Sequence, residues 1–114
     1  MADGALIIIS SGKEAVDKAM TGMMYAYNAL KYGWLPDVQV VFFGPSEELI
    51  ISDNPEIRAM LEKLMGQGVK PFACSAIAKG SGLEAGLMQI GMDVLPVGPL
   101  ISSYIKKGYA TLTF

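Results

Sequence analysis

Histidine is absent from this 114-residue chain, and cysteine occurs once, as Cys74. Histidine is the most common metal ligand and the usual general base near neutral pH, and a single cysteine cannot form an internal disulfide. Within one chain, these absences exclude cysteine–histidine zinc sites and histidine-based catalytic triads. The sequence therefore predicts no metal site and no resident cofactor.

Charged residues are scarce, at 18% of the chain against 52% hydrophobic residues, whereas an average globular domain has roughly 25% charged residues. A small domain has a large surface for its volume, so an apolar excess of this size favours burial between subunits. We expect a homo-oligomer. Nine basic and eleven acidic residues, with no basic block, do not favour nucleic acid as a partner.

Long apolar runs are also absent. The longest uninterrupted one covers residues 5–9, far short of the roughly 20 residues that cross a bilayer. The N-terminus reads Met-Ala-Asp-Gly, with an acidic residue where a secretory signal carries positive charge. These features predict a cytoplasmic protein that does not bind membranes, and the length predicts one domain spanning residues 1–114.

Five short apolar segments alternate with helical patterns along the chain. The predicted strands are residues 5–9, 38–43, 69–73, 92–95 and 109–114. A β-branched run such as the first is typical of a strand buried on both faces of a parallel sheet. The alternation predicts an α/β fold in which a mostly parallel, five-stranded sheet has helices on both faces.

The segment after the first strand has two interpretations. Ser11 and Glu14 fit an S-x-x-E capping box, which predicts a long amphipathic helix ending near Gly33. Its predicted apolar stripe consists of Val16, Met20, Met23, Tyr27, Leu30 and Trp34. Ser-Ser-Gly-Lys at residues 10–13 is also compatible with a phosphate-binding loop, although the full G-x-x-x-x-G-K-[ST] pattern is missing.

Cys74 is predicted to lie where the third strand gives way to a short helix, residues 75–79. The free N–H groups at the start of a helix favour an adjacent negative charge, and the thiolate is the nucleophilic form of cysteine. Free cysteine is, however, also among the most buried residue types. The position is therefore compatible with a reactive thiol and with an inert core residue.

Several segments together resemble the DsrE/DsrF-like family. They are Ile-Ile-Ile-Ser-Ser-Gly-Lys-Glu at 7–14, Val-Phe-Phe-Gly-Pro-Ser-Glu-Glu-Leu at 41–49, Cys74 eight residues before Gly82, and Gly-Tyr-Ala-Thr-Leu-Thr-Phe at 108–114. The resemblance implies a three-layer α/β/α fold and assembly into oligomers, commonly trimers or hexamers. It also implies that a cysteine accepts sulfane sulfur as a persulfide and passes it to a partner protein. Cys74 matches that sulfur-carrying position.

Three functional hypotheses follow. The first is a persulfide carrier, a possible sulfurtransferase, in which Cys74 receives sulfur from a donor protein and passes it to an acceptor protein. Because there is no second cysteine, the persulfide sulfur cannot be released by formation of an internal disulfide. The alternative is a non-catalytic small-molecule-binding or oligomeric assembly subunit with Cys74 in its core. A third, a nucleotide-dependent enzyme, requires a ligand near residues 10–13.

Overall fold

The structure is a computed structural model that describes residues 4–114, so the N-terminal sequence used to predict localisation lies largely outside the described residues. The strands are β1 (Gly4–Ile9), β2 (Asp37–Phe42), β3 (Phe72–Cys74), β4 (Asp93–Leu95) and β5 (Ala110–Thr113). The helices are α1 (Val16–Lys31), α2 (Ser46–Ile51), α3 (Pro55–Gly66), α4 (Ser75–Ser81), α5 (Glu84–Ile90) and α6 (Val97–Lys106), and a 3₁₀ turn at Lys13–Ala15 precedes α1.

The five strands form one sheet in the order β4-β3-β2-β1-β5. Every neighbouring pair is parallel, with Ile7 opposite Val40 on one side and Leu112 on the other. The predicted α/β/α fold is confirmed, and the sheet is wholly rather than mostly parallel. All carboxyl ends of a parallel sheet lie at one edge, which is where ligands bind in open α/β sheets.

The two faces of the sheet bury different clusters. The larger cluster joins alternate residues of β1 and β2 to α1, α2, α3 and α5, and the smaller one lies against α6. The smaller cluster consists of Leu6, Val41, Cys74 and Val97, with Tyr104 and other half-buried side chains packed on it. Helix α4 contributes Ala78 to the first cluster and Ile77 to the second. Cys74 therefore belongs to the thinner layer of the core.

Most of the predicted α1 stripe packs against the core, but the most deeply buried face of the helix is formed largely by smaller residues. Its fully buried residues are Ala19, Gly22, Met23, Ala26 and Ala29, whereas Trp34 is exposed and the larger stripe residues other than Met23 are half-buried or exposed. Small side chains let the helix backbone approach the sheet closely, and a Cβ atom at Gly22 would overlap Ile9 and Phe114. Side-chain size, which a hydrophobicity pattern ignores, decides the helix orientation here.

The segment before α1 also differs from the prediction. The Glu14 carboxylate accepts a hydrogen bond from the Gly12 backbone N–H at 2.7 Å, so the reciprocal half of the capping box exists one residue later than expected. The Ser10 and Ser11 N–H groups both donate to the Phe114 carbonyl, at 2.8 and 3.2 Å. Because the N–H groups of residues 10–12 already have acceptors, they are not free to bind a phosphate group. This argues against the nucleotide hypothesis.

Helix α3 and strand β3 both begin at identifiable local features. Asn54 caps α3, since its Oδ1 accepts a hydrogen bond from the Ile57 N–H at 3.1 Å, and Pro55 opens the helix. Strand β3 is shorter than predicted and begins after Pro71, which cannot donate a ladder hydrogen bond. Among residues 4–114, no helix has both the length and the hydropathy needed to cross a bilayer.

Candidate functional site

Cys74 lies where the sequence predicts, at the junction between a strand and a helix. It is the last residue of β3 and the N-cap of α4, with an extended backbone (φ −71°, ψ 120°). Only 6% of the residue is exposed, and it packs in one cluster with Leu6, Val41 and Val97. The thiol is therefore at the functional edge of the sheet but largely covered by apolar side chains.

The loop after β2 places a second polar group at the same edge. Gly44 has a φ of +123°, a conformation that favours glycine, and it turns the chain out of β2. The buried Ser46 hydroxyl then donates a hydrogen bond to the Ile9 carbonyl, and the Ser46 N–H donates to the Ser10 carbonyl at 3.1 Å. These bonds fix the start of α2 over the ends of β1 and β2, and they orient the next residue, Glu47, toward the interior.

Glu47 is a fully buried carboxyl group, with 0% of the residue exposed. Neither of its oxygens has a hydrogen-bond partner among residues 4–114. Burial raises the pKa of Glu47 from its ordinary value of 4.5 to about 7. The Gly44 and Cys74 backbone N–H groups are close enough to lower this pKa, but they do not reach hydrogen-bonding geometry with the carboxylate and do not offset the burial.

Because the Cys74 N–H is close enough to lower the pKa of Glu47, the carboxyl group and the cysteine are neighbours at the ends of the adjacent strands β2 and β3. Glu47 is not among the candidate residues predicted from the sequence. A signal was present, because Ile50 and Ile51 are apolar residues that lie three and four positions after Glu47, on the same face of the short helix α2. Glu48 lies on the exposed side and pairs with Lys13 at 3.1 Å.

A surface cavity of about 340 Å³ lies beside this carboxyl group. Its lining residues come from the β2–α2 turn, the first turn of α2, helix α4 and the turn that follows α4: Gly44, Pro45, Glu47, Glu48, Ile77, Ser81 and Leu83. Ser81 is the last residue of α4, and Gly82 ends the helix with a φ of +72°. Cys74 itself does not line the cavity, but Ile77 on the next turn of α4 does.

The chemistry available here is that of one thiol and one buried carboxyl group. Within the described range 4–114, no three residues of the histidine, cysteine, aspartate and glutamate types come together as a metal site would require. A cysteine thiolate can attack sulfur, and a carboxyl group with a pKa near 7 can hold or release a proton at neutral pH. The site is therefore suited to thiol chemistry and to hydrogen-bonded or ionic ligands.

Comparison with known proteins identifies a family and a shared fold. The sequence profile of the DsrE/DsrF-like family matches residues 3–114. No curated protein matched the sequence.

Three solved structures are similar along nearly their whole length. BT1422 of Bacteroides thetaiotaomicron, a conserved protein of unknown function, has a TM-score of 0.85 and 21% identity over 98% of this chain and 95% of that one. MTH1491 of Methanobacterium thermoautotrophicum, also of unknown function, has a TM-score of 0.75 and 19% identity over 97% and 98%. The ychN protein of E. coli has a TM-score of 0.74 and 15% identity over 100% of both chains. At these identities the likeness establishes the fold alone.

Proposed function

We propose that this chain, which belongs to the DsrE/DsrF-like family, is a small cytoplasmic sulfur-relay protein that carries sulfane sulfur as a persulfide on Cys74. The observation that carries the proposal is the position of its one cysteine. Cys74 is at the carboxyl edge of a parallel sheet, between β3 and α4, in the order of motifs that resembles the family's sulfur carriers.

The transfer needs no external oxidant. The Cys74 thiolate attacks the outer sulfur of a donor persulfide, R–S–SH, and the sulfur–sulfur bond of the donor breaks. The donor leaves as R–S⁻ and takes up the proton that Cys74 lost, so Cys74–SH and R–S–SH become Cys74–S–SH and R–SH. An acceptor thiolate repeats the attack on Cys74–S–SH and restores the Cys74 thiol.

Burial of the thiol sets a condition on this reaction. With 6% exposure, Cys74 reaches a donor only when the side chains above it move. Helix α4 is the element best suited to move, because it has seven residues and ends between Gly80 and Gly82. Short helices with few buried residues open at low free-energy cost. The proposal therefore includes local opening at α4 before each transfer.

Intact-protein mass spectrometry after incubation with a persulfide donor tests this function. Wild-type protein is expected to gain the mass of one sulfur atom, reversibly with reductant, and Cys74→Ser is expected to gain none. Alkylation of Cys74 under native and denaturing conditions, followed in parallel, shows whether the thiol opens to solvent. A thiol that neither accepts sulfur nor alkylates while the protein is folded, yet alkylates after denaturation, contradicts the carrier role.

The packing of Cys74 among Leu6, Val41 and Val97 favours a second candidate function. In that case the cysteine is a core residue, and the chain is a non-catalytic small-molecule-binding or assembly subunit. Cys74→Ala would then leave ligand binding and oligomeric state unchanged while lowering stability, because it leaves a small cavity in the core. Loss of sulfur acceptance with unchanged stability would favour the carrier instead.

We extend the proposal to self-association as a trimer or hexamer. Among residues 4–114, seven large hydrophobic residues are exposed: Met24, Tyr32, Trp34, Phe43, Met88, Ile105 and Leu112. All four residues of β5 are exposed as well, at an edge of the sheet. An exposed strand edge and scattered apolar side chains are what a second copy of the chain would cover. Native mass spectrometry tests this, and a monomer at micromolar concentration would contradict it.

A further inference from the structure

The charged residues that line the cavity beside Glu47 are all acidic. Two of its lining residues, Glu47 and Glu48, are carboxylates, and none of the lining residues that the structure describes is basic. Its remaining side chains are mainly apolar, with Pro45, Ile77 and Leu83 among them. An apolar wall with a few placed polar groups is the usual composition of a small-ligand site. A lining with carboxyl groups and, among residues 4–114, no basic residue favours a cation over an anion as the occupant.

Glu47 supplies a separate reason to expect an occupant. A buried carboxylate without a hydrogen-bond partner is costly, and such groups in native proteins usually have a partner or a role. Within residues 4–114, the backbone N–H groups of Gly44 and Cys74 approach the carboxylate, but neither completes a hydrogen bond to it. The missing donor is therefore expected to come from outside this chain, and the cavity that Glu47 lines is the route by which it can arrive.

We propose that this cavity binds an organic cation, an alkylammonium or alkylguanidinium group, whose N–H groups pair with the Glu47 carboxylate and whose alkyl stem packs on Ile77 and Leu83. Glu48 adds negative charge at the rim while it remains paired with Lys13. Because Glu47 has no surface in contact with bulk water, pairing involves rotation of its side chain toward the cavity. The proposal rests on Glu47 and the cavity walls, and it holds whether or not Cys74 carries sulfur.

Binding of a cation at this position depends on pH. Glu47 must be ionised to pair with a cation, and burial raises its pKa to about 7, so affinity increases as pH rises through neutrality. Other charged groups occupy the elements packed against α2 and the cavity: Lys13 and Glu14 before α1, Arg58 on α3, Lys79 on α4 and Glu84 on α5. Lys13, Lys79 and Arg58 already have partners in Glu48, Glu84 and the Ile50 carbonyl.

Chemical-shift titration of the ¹⁵N-labelled protein tests the proposal with n-butylguanidinium and n-butylammonium as probes. Butyramide serves as the neutral control and butyrate as the anionic one. The two cations are expected to shift the amide signals of residues 44, 46–48 and 77–83 at pH 8. At pH 5.5 the same binding is expected to be about tenfold weaker or more, since a group with a pKa near 7 is then largely protonated.

Glu47→Gln and Glu48→Gln form a matched pair of neighbouring, isosteric variants. A charge-assisted hydrogen bond corresponds to about tenfold or more in affinity, so Glu47→Gln is expected to weaken cation binding by that factor and to abolish its pH dependence. Glu48→Gln, at an exposed and salt-bridged position, is expected to change affinity about threefold or less. The amide spectra of both variants also report whether they remain folded.

The result that overturns the proposal is binding of butyramide as strong as that of the cations, no binding of either cation, or equal affinity in wild type and Glu47→Gln. A further titration with N-acetyl-arginine methylamide identifies the source of the cation. Binding of this blocked residue supports an arginine side chain of a partner protein as the occupant. Binding of the two butyl cations alone supports a free amine or guanidine.

Discussion

Replacement of Glu47 by glutamine is expected to make the protein more stable, by an amount that grows between pH 4.5 and about 7 and is then constant. Glu47 has no exposed surface and no hydrogen-bond partner within residues 4–114. Burial raises its pKa from 4.5 to about 7. Glutamine has the same shape and no charge, so Glu47→Gln removes the cost of ionising a group inside the protein.

The sign of the effect follows from where each state of the protein binds the proton. Below pH 4.5, Glu47 is protonated in the folded and the unfolded chain, and burial carries no charge penalty. Between pH 4.5 and about 7, the unfolded chain loses the proton while the folded chain keeps it, so the free energy of unfolding falls as pH rises. Above pH 7 both states are ionised and the loss stays constant, at about 3 kcal/mol as an upper bound.

Urea unfolding of wild type, Glu47→Gln and Glu48→Gln at pH 5, 6, 7 and 8 measures this effect. The stability difference between Glu47→Gln and wild type is expected to grow across that range toward about 3 kcal/mol. Subtracting the wild-type free energy of unfolding from that of the variant at each pH removes the contribution of all other titrating groups. Glu48→Gln should differ from wild type by about 0.5 kcal/mol or less at every pH, because its ion pair with Lys13 is exposed. A pH-independent difference for Glu47→Gln would refute the assignment of a buried, unpartnered carboxyl group.

Four further substitutions test the helix packing, the α3 cap and a buried hydrogen bond by the same unfolding assay. Gly22→Ala is expected to lower the free energy of unfolding by about 1–3 kcal/mol, because the new Cβ overlaps Ile9 across the helix–sheet contact. Gly66→Ala, with open space around it, should raise the free energy of unfolding by about 0.5–1 kcal/mol. Equal effects of the two substitutions would contradict the close approach of α1. Asn54→Ala should cost about 1 kcal/mol through loss of the α3 cap, and an unchanged midpoint would argue against that cap. Ser46→Ala should cost about 1–2 kcal/mol, because the buried Ile9 carbonyl loses its side-chain donor, and a smaller effect would show that water replaces the hydroxyl.

The sheet could be predicted from the sequence because its signals are local. The β-branched run at Ile7, the Asn54-Pro55 start of a helix and the strand-to-helix junction at Cys74 each involve a few consecutive residues. Their order then limits the possible topologies, since parallel strands require crossover connections. The strand order itself depends on pairing between distant segments, such as β1 with β5, and no local pattern encodes it.

The errors share a physical cause. The predicted stripe of α1 ranked residues by hydrophobicity, but the most deeply buried residues of the helix are mostly alanines and Gly22, and Gly22 packs closely on Ile9. Glu47 was missed for a related reason. Its burial depends on Ser46, Ile9 and Ser10, which come together only when β1 and β2 are paired.

The cost of burying Glu47 bears on what the site does. Glutamine would fill the same space in α2 without a charge, so the fold does not require a carboxyl group at that position. The chain nevertheless places a carboxyl group there, beside the Cys74 backbone. The same group lies in the wall of a cavity that has no basic lining residue among residues 4–114. Stability lost at a single position is typical of residues kept for binding or catalysis. If Glu47→Gln gains stability and also loses cation affinity or the pH dependence of sulfur acceptance, the carboxyl group is functional. A gain in stability with both properties intact would mean that Glu47 is merely a tolerated defect in the core.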